Sequence, residues 1–285
     1  MQPNTSYCGG VVHGQIVLAN GDRWTGGDVS GAVTSQQRGA VECGNPCTLV
    51  NMNIHDNPGA FAGIYALQNG ASGPFVVSGG RVTGSGSLGI GSSNSSQVTI
   101  SGVEIDHNGA FANCGFEGGG FKSTSSGSRF TDNYVHDNNC FGVWYDINAA
   151  NNEIDHNRVD NNAGGGIFYE ISHDATIHDN DISGNGAGSC TWLWGAGIGI
   201  ASSFNVQVYN NTLTNNCNGV GETQQNRPED APPAHLLENV SVTGNSISAG
   251  KTGAVEDNGA VLSTRNLTWS ANTFNNGASF CGLGC

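Results

Sequence analysis

Positive charge is scarce in this chain. Lys and Arg together number 9 against 23 Asp and Glu, and the formal net charge over 285 residues is −14. Nucleic acid is excluded as a partner, because phosphate binding needs clustered Lys and Arg. A bare polyanionic substrate is disfavoured for the same reason, unless a cation bridges it. No apolar run approaches the ~18 residues that a membrane span requires. The opening MQPNTSYCGG has neither a basic n-region nor an apolar core, so no signal peptide is read there; a mature secreted chain would begin in this way, and so would a cytosolic one. Helix formers are few, the pattern of a leucine-rich repeat is missing, and no flat array of Thr suggests an ice-binding face.

What is present is glycine, 45 of them, with abundant Asn and a hydrophobic content of 36%. That composition alone fits disorder. Alternating runs such as QVTISGVEI and NVQVYNN instead read as strands. The 9 cysteines argue for an oxidising compartment. Cys43 and Cys47 flank GNP, and Cys281 and Cys285 flank GLG. Such short loops suit local disulfides better than zinc, since no His-rich partner pattern accompanies them. Cys114 and Cys140, and likewise Cys190 and Cys217, fall in successive repeats and are placed to staple neighbouring loops. An odd count leaves one thiol over.

The repeat is a short motif, Asn-x-apolar-x-x-Asn, clearest as NYVHDN, NRVDNN, NDISGN and NTLTNN. Its apolar residue falls at Ile54, Val82, Ile105, Val135, Val159, Ile182, Leu213, Ile247 and Phe274, with gaps of 28, 23, 30, 24, 23, 31, 34 and 27 residues. The shortest gaps set the period and the longer ones carry insertions. A unit this short, β-rich and poor in helix formers reads as one coil of a strand solenoid, with coils stacked at ~4.8 Å. Equivalent residues then form columns. Asn133, Asn157, Asn180, Asn211, Asn245 and Asn272 make one; Asn108, Asn138, Asn162, Asn185 and Asn216 make another. Stacked amides satisfy each other at tight turns, so these Asn are structural. The His-Asp pairs that follow the apolar residue read mainly as turn caps.

The pattern GVWYD…NEIDHNRVDNNAGGGIFYEIS…TIHDNDISGNG resembles the right-handed parallel β-helix repeat family, the pectin-lyase-like superfamily, over roughly residues 48–277. The resemblance implies an all-β solenoid of roughly nine to ten coils in a single domain. Residues 1–47 would form an N-terminal cap or first irregular coil, and 278–285 the C-terminal closure. The fold hosts lyases, hydrolases, epimerases, transferases, adhesins and phage spikes, so function has to be argued from the site.

One strand per coil begins with Gly, as in GIYAL, GIGSS, GFKST, GVWYD, GIFYE, GIGIA and GVGET. Side chains alternate across a strand. With Ile64, Ile90, Phe121, Val143, Ile167, Ile198 and Val220 turned inward, the third positions face out as Tyr65, Gly91, Lys122, Trp144, Phe168, Gly199 and Gly221. The fifth positions include Asp146 and Glu170, 24 residues apart. Small residues lie on both sides, so the expectation is an open, acid-floored groove in which Trp144 and Phe168 stack on sugar rings. Like charges opposite one another destabilise a sheet, so the acid pair calls for a reason. Insertions add Trp192 and Trp194 from one loop and Arg227 from another; Glu117 and His173 lie near the rim.

Three chemistries use such a patch. Asp146 and Glu170, ~5 Å apart, match the acid and nucleophile of a retaining glycosidase. Alternatively they hold Ca²⁺ beside a uronate while Lys122, one of 2 lysines, abstracts the proton α to its carboxylate. The resemblance supports this second chemistry, since several β-helix lyases pair acidic calcium ligands with a Lys or Arg base. A C5-epimerase of this fold would carry Asp-Pro-His-Glu, whereas this chain reads DINA after Tyr145. The expectation is therefore a secreted carbohydrate-active enzyme that cleaves a polysaccharide or oligosaccharide. β-Elimination stands slightly ahead of hydrolysis, and a non-catalytic carbohydrate-binding or adhesive solenoid is the reading from another class.

Overall fold

The computed structural model describes residues 4–67, 73–93, 97–188, 190–191, 193–225, 235–256 and 265–283. Among these residues there is no helix, and every pairing of the named strands is parallel. Two sheets wind around one core. The first stacks 11 strands, one from each successive turn, running from Ile16–Leu18 to Ser279–Leu283. The second holds 20 strands and bends within long members such as Phe75–Thr83, which pairs with both Val98–Ser101 and Glu104–Asp106. Residues 6–44 already contribute strands to both sheets, in the register of the coils that follow.

The core is a set of apolar columns. Ile54, Val82, Ile105, Val135, Val159, Ile182, Leu213 and Ile247 lie in register and are essentially inaccessible. So are Ile64, Ile90, Phe121, Val143, Ile167, Ile198 and Val220 in the first sheet. Each β-branched or aromatic residue stacks on its like, which suits a pleated surface buried on its inner side.

Asn ladders fix the register at the turns. In the first column, Asn157 donates both its backbone N–H and its side-chain amide to Oδ1 of Asn180, each at 3.0 Å. The same double bond links Asn133 to Asn157, Asn180 to Asn211, and Asn211 to Asn245. The second column repeats it from Asn108 through Asn138, Asn162 and Asn185 to Asn216. Each interior amide also caps a carbonyl, as Asn157 Nδ2 does to Phe130 O at 2.8 Å. The His-Asp pairs are turn residues: His136 Nδ1 meets Asp137, and His178 Nδ1 meets Asp179, at 2.8 Å each.

Disulfides join Cys43 to Cys47, Cys114 to Cys140 and Cys190 to Cys217. Cys281 is also disulfide-bonded, and Cys8 is a free, exposed thiol.

One inward position breaks the apolar rule. Glu222 stacks between Ile200 and Ala254 and is fully buried. Burial pushes its carboxyl up to about 8, with the neighbouring Trp269 indole pulling the other way.

Two outcomes follow. Replacing Asn157 by Ala strands a buried amide proton and two partners, and should cost about 2–4 kcal/mol in denaturant melts. Asn266→Ala, at an exposed residue with φ 54° and one amide bond to Asn239, should cost less, about 1 kcal/mol. For Glu222, the unfolded chain releases the proton near pH 4.5 while the folded chain keeps it until about 8. The folded state thus binds more protons across that window, and stability falls as pH rises through it. Glu222→Gln should flatten the decline, raising Tm by about 5 °C at pH 8.5 and leaving it nearly unchanged at pH 4.

Candidate active site

The outward column of the first sheet is continuous. Pairings run Glu42 to Tyr65, Gly91, Lys122, Trp144, Phe168, Gly199, Gly221 and Gly253. Asp146 follows the strand Phe141–Tyr145 and Glu170 ends the strand Gly165–Glu170; pairing of Tyr145 with Tyr169 sets them in adjacent coils. Over the middle of this column lies a cavity of about 300 Å³. Its lining includes Lys122, Trp144, Asp146 and Glu170 from the sheet, Phe116 and Glu117 from the preceding loop, and Tyr65, Ser92, Ser93, Thr124 and Gln37.

Lys122 is the electrostatic centre. Its Nζ lies 2.8 Å from Asp146 Oδ2 and donates to Phe116 O at 2.6 Å. It also sits 3.5 Å from the centroid of the Trp144 ring. Both side chains of the ion pair are 8% exposed. The other Asp146 oxygen accepts the Ile147 N–H at 2.8 Å. Held at these two points, Lys122 is placed to face negative charge that develops in the cavity. Asp146 and Phe116 O engage two of its three donors, and the Trp144 ring face adds a third contact.

Tyr65 was not singled out from the sequence as a site residue. It reaches the cavity because Gly91, between it and Lys122 in the column, has no side chain. A Cβ there would lie 2.5 Å from the Tyr65 ring. Burial, reinforced by the charge of Glu117, pushes the phenol up to about 12, and a hydrogen bond with Ser93 tempers the rise. Glu117 Oε1 accepts from Gln37 Nε2 at 3.1 Å, closing the rim between residues 80 apart in sequence. Glu117 Oε2 and the Trp144 indole N–H are buried without a hydrogen-bond partner.

The expectation of an open groove floored by stacking aromatics is corrected here. Trp144 and Phe168 are only 2% and 5% exposed. Phe168 stacks on Phe141 at 4.6 Å and takes the edge of Trp194 at 6.0 Å. Leu193 and Trp194 lie over the column beyond Phe168, so the small residues there make room for protein. Leu193 fills the place above Gly221, where an added Cβ would be 2.6 Å from its carbonyl oxygen. His173 is not brought to the cavity; it stacks on Phe204 at 4.8 Å and pairs with Asp174. Trp192 and Arg227 lie outside the described residues.

Calcium at Asp146 and Glu170 fits poorly. Both Asp146 oxygens are engaged, one by an ammonium that would repel a dication, and Ca²⁺ takes 6–8 oxygen ligands. Elsewhere, among the described residues, Glu104, Asp106 and His136 converge closely enough for a metal. There Arg81 already binds Asp106 through two bonds, of 2.8 and 2.7 Å.

The family described as right handed beta helix region matches residues 39–196 and 111–229. The chain belongs to this right-handed β-helix family. No curated protein sequence matches it. Among solved structures of this fold, an alginate lyase from Paenibacillus sp. str. FPU-7 gives a TM-score of 0.65 at 13% identity, over 97% of this chain and 99% of that one. The periplasmic alginate epimerase AlgG gives 0.59 at 17%, over 90% of this chain and 60% of its own. The A-module of the Azotobacter vinelandii mannuronan C-5 epimerase AlgE6 gives 0.59 at 15%, over 99% and 88%. This β-helix chain therefore spans 60% of AlgG. At such identities the likeness is one of fold.

The buried pair can be tested by stability alone. Asp146→Ala leaves an uncompensated ammonium and should destabilise by about 3–5 kcal/mol. The double change Lys122→Met/Asp146→Leu should recover most of that loss in urea melts, because neither member of the pair is then left as an unpaired buried charge.

Proposed function

We propose that this β-helix protein cleaves a polysaccharide, by β-elimination beside a uronate. The observation that carries the reading is the Lys122 ammonium, buried on the cavity floor beside Asp146 and the Trp144 ring. Burying an ion pair is seldom a stability device, and placing one of the chain's 2 lysines there suits a substrate that develops negative charge.

In this mechanism Lys122 faces the uronate carboxylate and stabilises the enediolate formed when Glu170 takes the C5 proton. The electron pair of that C–H bond becomes the C4=C5 double bond, and the C4–O4 bond breaks. Tyr65, held protonated by its raised pKa, gives its proton to the departing O4. Asp146 holds Lys122 in place. This assigns Lys122 an electrostatic role in place of the basic one that the sequence suggested. Alginate lyase and alginate epimerase activities among proteins of like fold agree with a uronate substrate. The disulfides agree with action outside the reducing cytosol. No described helix is long and apolar enough to cross a membrane.

A second reading is hydrolysis of a neutral glycan. It is favoured by the charge of the cavity, where Glu117, Asp146 and Glu170 outnumber Lys122. Asp146 is paired with Lys122, while Glu117 keeps one buried oxygen without a partner. Those unlike environments suit a base and an acid.

A polysaccharide panel followed at 235 nm and for reducing ends separates the readings. Elimination predicts absorbance rising with new reducing ends. Lys122→Met should lower that rate by about 10²–10³-fold, and Tyr65→Phe by about 10²–10⁴-fold. Reducing ends without absorbance would replace elimination by hydrolysis, and no cleavage of uronate or neutral polymers would leave a carbohydrate-binding solenoid.

A further inference from the structure

We propose that the site acts at the end of a glycan chain, releasing one or two sugars per event, and that Leu193 and Trp194 impose this. The inference rests on the carbohydrate reading above and adds to it which bond is reached. A polymer bound through its middle has to leave the site on both sides. Along the coil axis, the path towards later coils crosses Phe168, Gly199 and Gly221. That path is filled. The Phe168 ring lies 3.1 Å from where a Cβ on Gly199 would be, and the Leu193 backbone and Cβ cover Gly221. Only about 10 Å³ is left between Phe168, Leu193, Trp194 and the two glycines.

The wall is anchored at several points. Cys190 is bonded to Cys217 of the next coil. Asn218 Nδ2 donates to Trp194 O at 2.8 Å, and Gly188 N donates to Ala163 O at 2.9 Å. On the strand-entry side, Phe116 and Glu117 are tied to Lys122 and Gln37. Short of that wall, the described residues leave a cavity of about 300 Å³. At ~30 Å³ per water it has the space of about ten waters, enough for one or two sugar rings.

The test is the product distribution from a polymer the protein cleaves, followed by size-exclusion and mass spectrometry from the earliest conversion. End action predicts mono- and disaccharides from the first time point, with the polymer peak hardly shifted at about one-tenth conversion. A ladder of intermediate lengths with early collapse of polymer size would overturn it while leaving carbohydrate cleavage intact. Trp194→Ala, and separately Leu193→Gly/Trp194→Ala, should raise the ratio of long to short products by about tenfold, the disulfide keeping the loop tethered. An unchanged ratio in both folded variants would refute the role given to the wall. Absence of both cleavage and binding on every glycan would instead reject the carbohydrate reading, and this inference with it.

Discussion

The structure depends on one repeated contact, an asparagine amide that receives two hydrogen bonds from its counterpart one coil away. At Asn157 and Asn180 this contact joins backbone to side chain, coil to coil, at a buried turn. A slip of one residue would turn every inward apolar side chain out to solvent. Because the ladders hold register over many coils, residues tens of positions apart in sequence stand in one column, and a column acquires chemistry that no single repeat contains. Tyr65, Lys122 and Trp144 meet for that reason.

Register alone would produce a flat face. The cavity arises where the columns are interrupted. Gly91 lets the Tyr65 ring lean towards Lys122, and the loop through Phe116 supplies a carbonyl that helps hold the ammonium. The 184–197 insertion closes the opposite end against Phe168. The same absence of side chains thus opens space at one coil and admits a covering loop at another. Low-dielectric walls around Lys122 and Asp146 strengthen any interaction with a charge developing in the site.

Much of the fold was legible in the sequence because period-2 alternation and Asn spacing are local signals that stacking only amplifies. The inward series from Ile64 to Val220 and both Asn columns stand where the repeat put them. The outward column was legible too, but not what lies over it. Gly199 and Gly221 read as open floor, whereas loop packing, which has no period, covers them. Trp144 and Phe168 changed from exposed platforms to buried packing for the same reason. Tyr65 was visible as a column member, and its importance required knowing that Gly91 leaves room for its ring. Alternation from Val220 already turns Glu222 inward, yet a lone acid at a core position carries no periodic signal of its own.

The central claim is that the Lys122–Asp146 pair forms the floor of a uronate-binding cavity. The most direct measurement is a crystal structure of the Tyr65→Phe protein soaked with a short uronate oligosaccharide. The account predicts a uronate carboxylate within hydrogen-bond distance of Lys122 Nζ, with the sugar chain ending against Phe168. A sugar seated on another face, or lying in the cavity with its carboxylate turned away from Lys122, would contradict it.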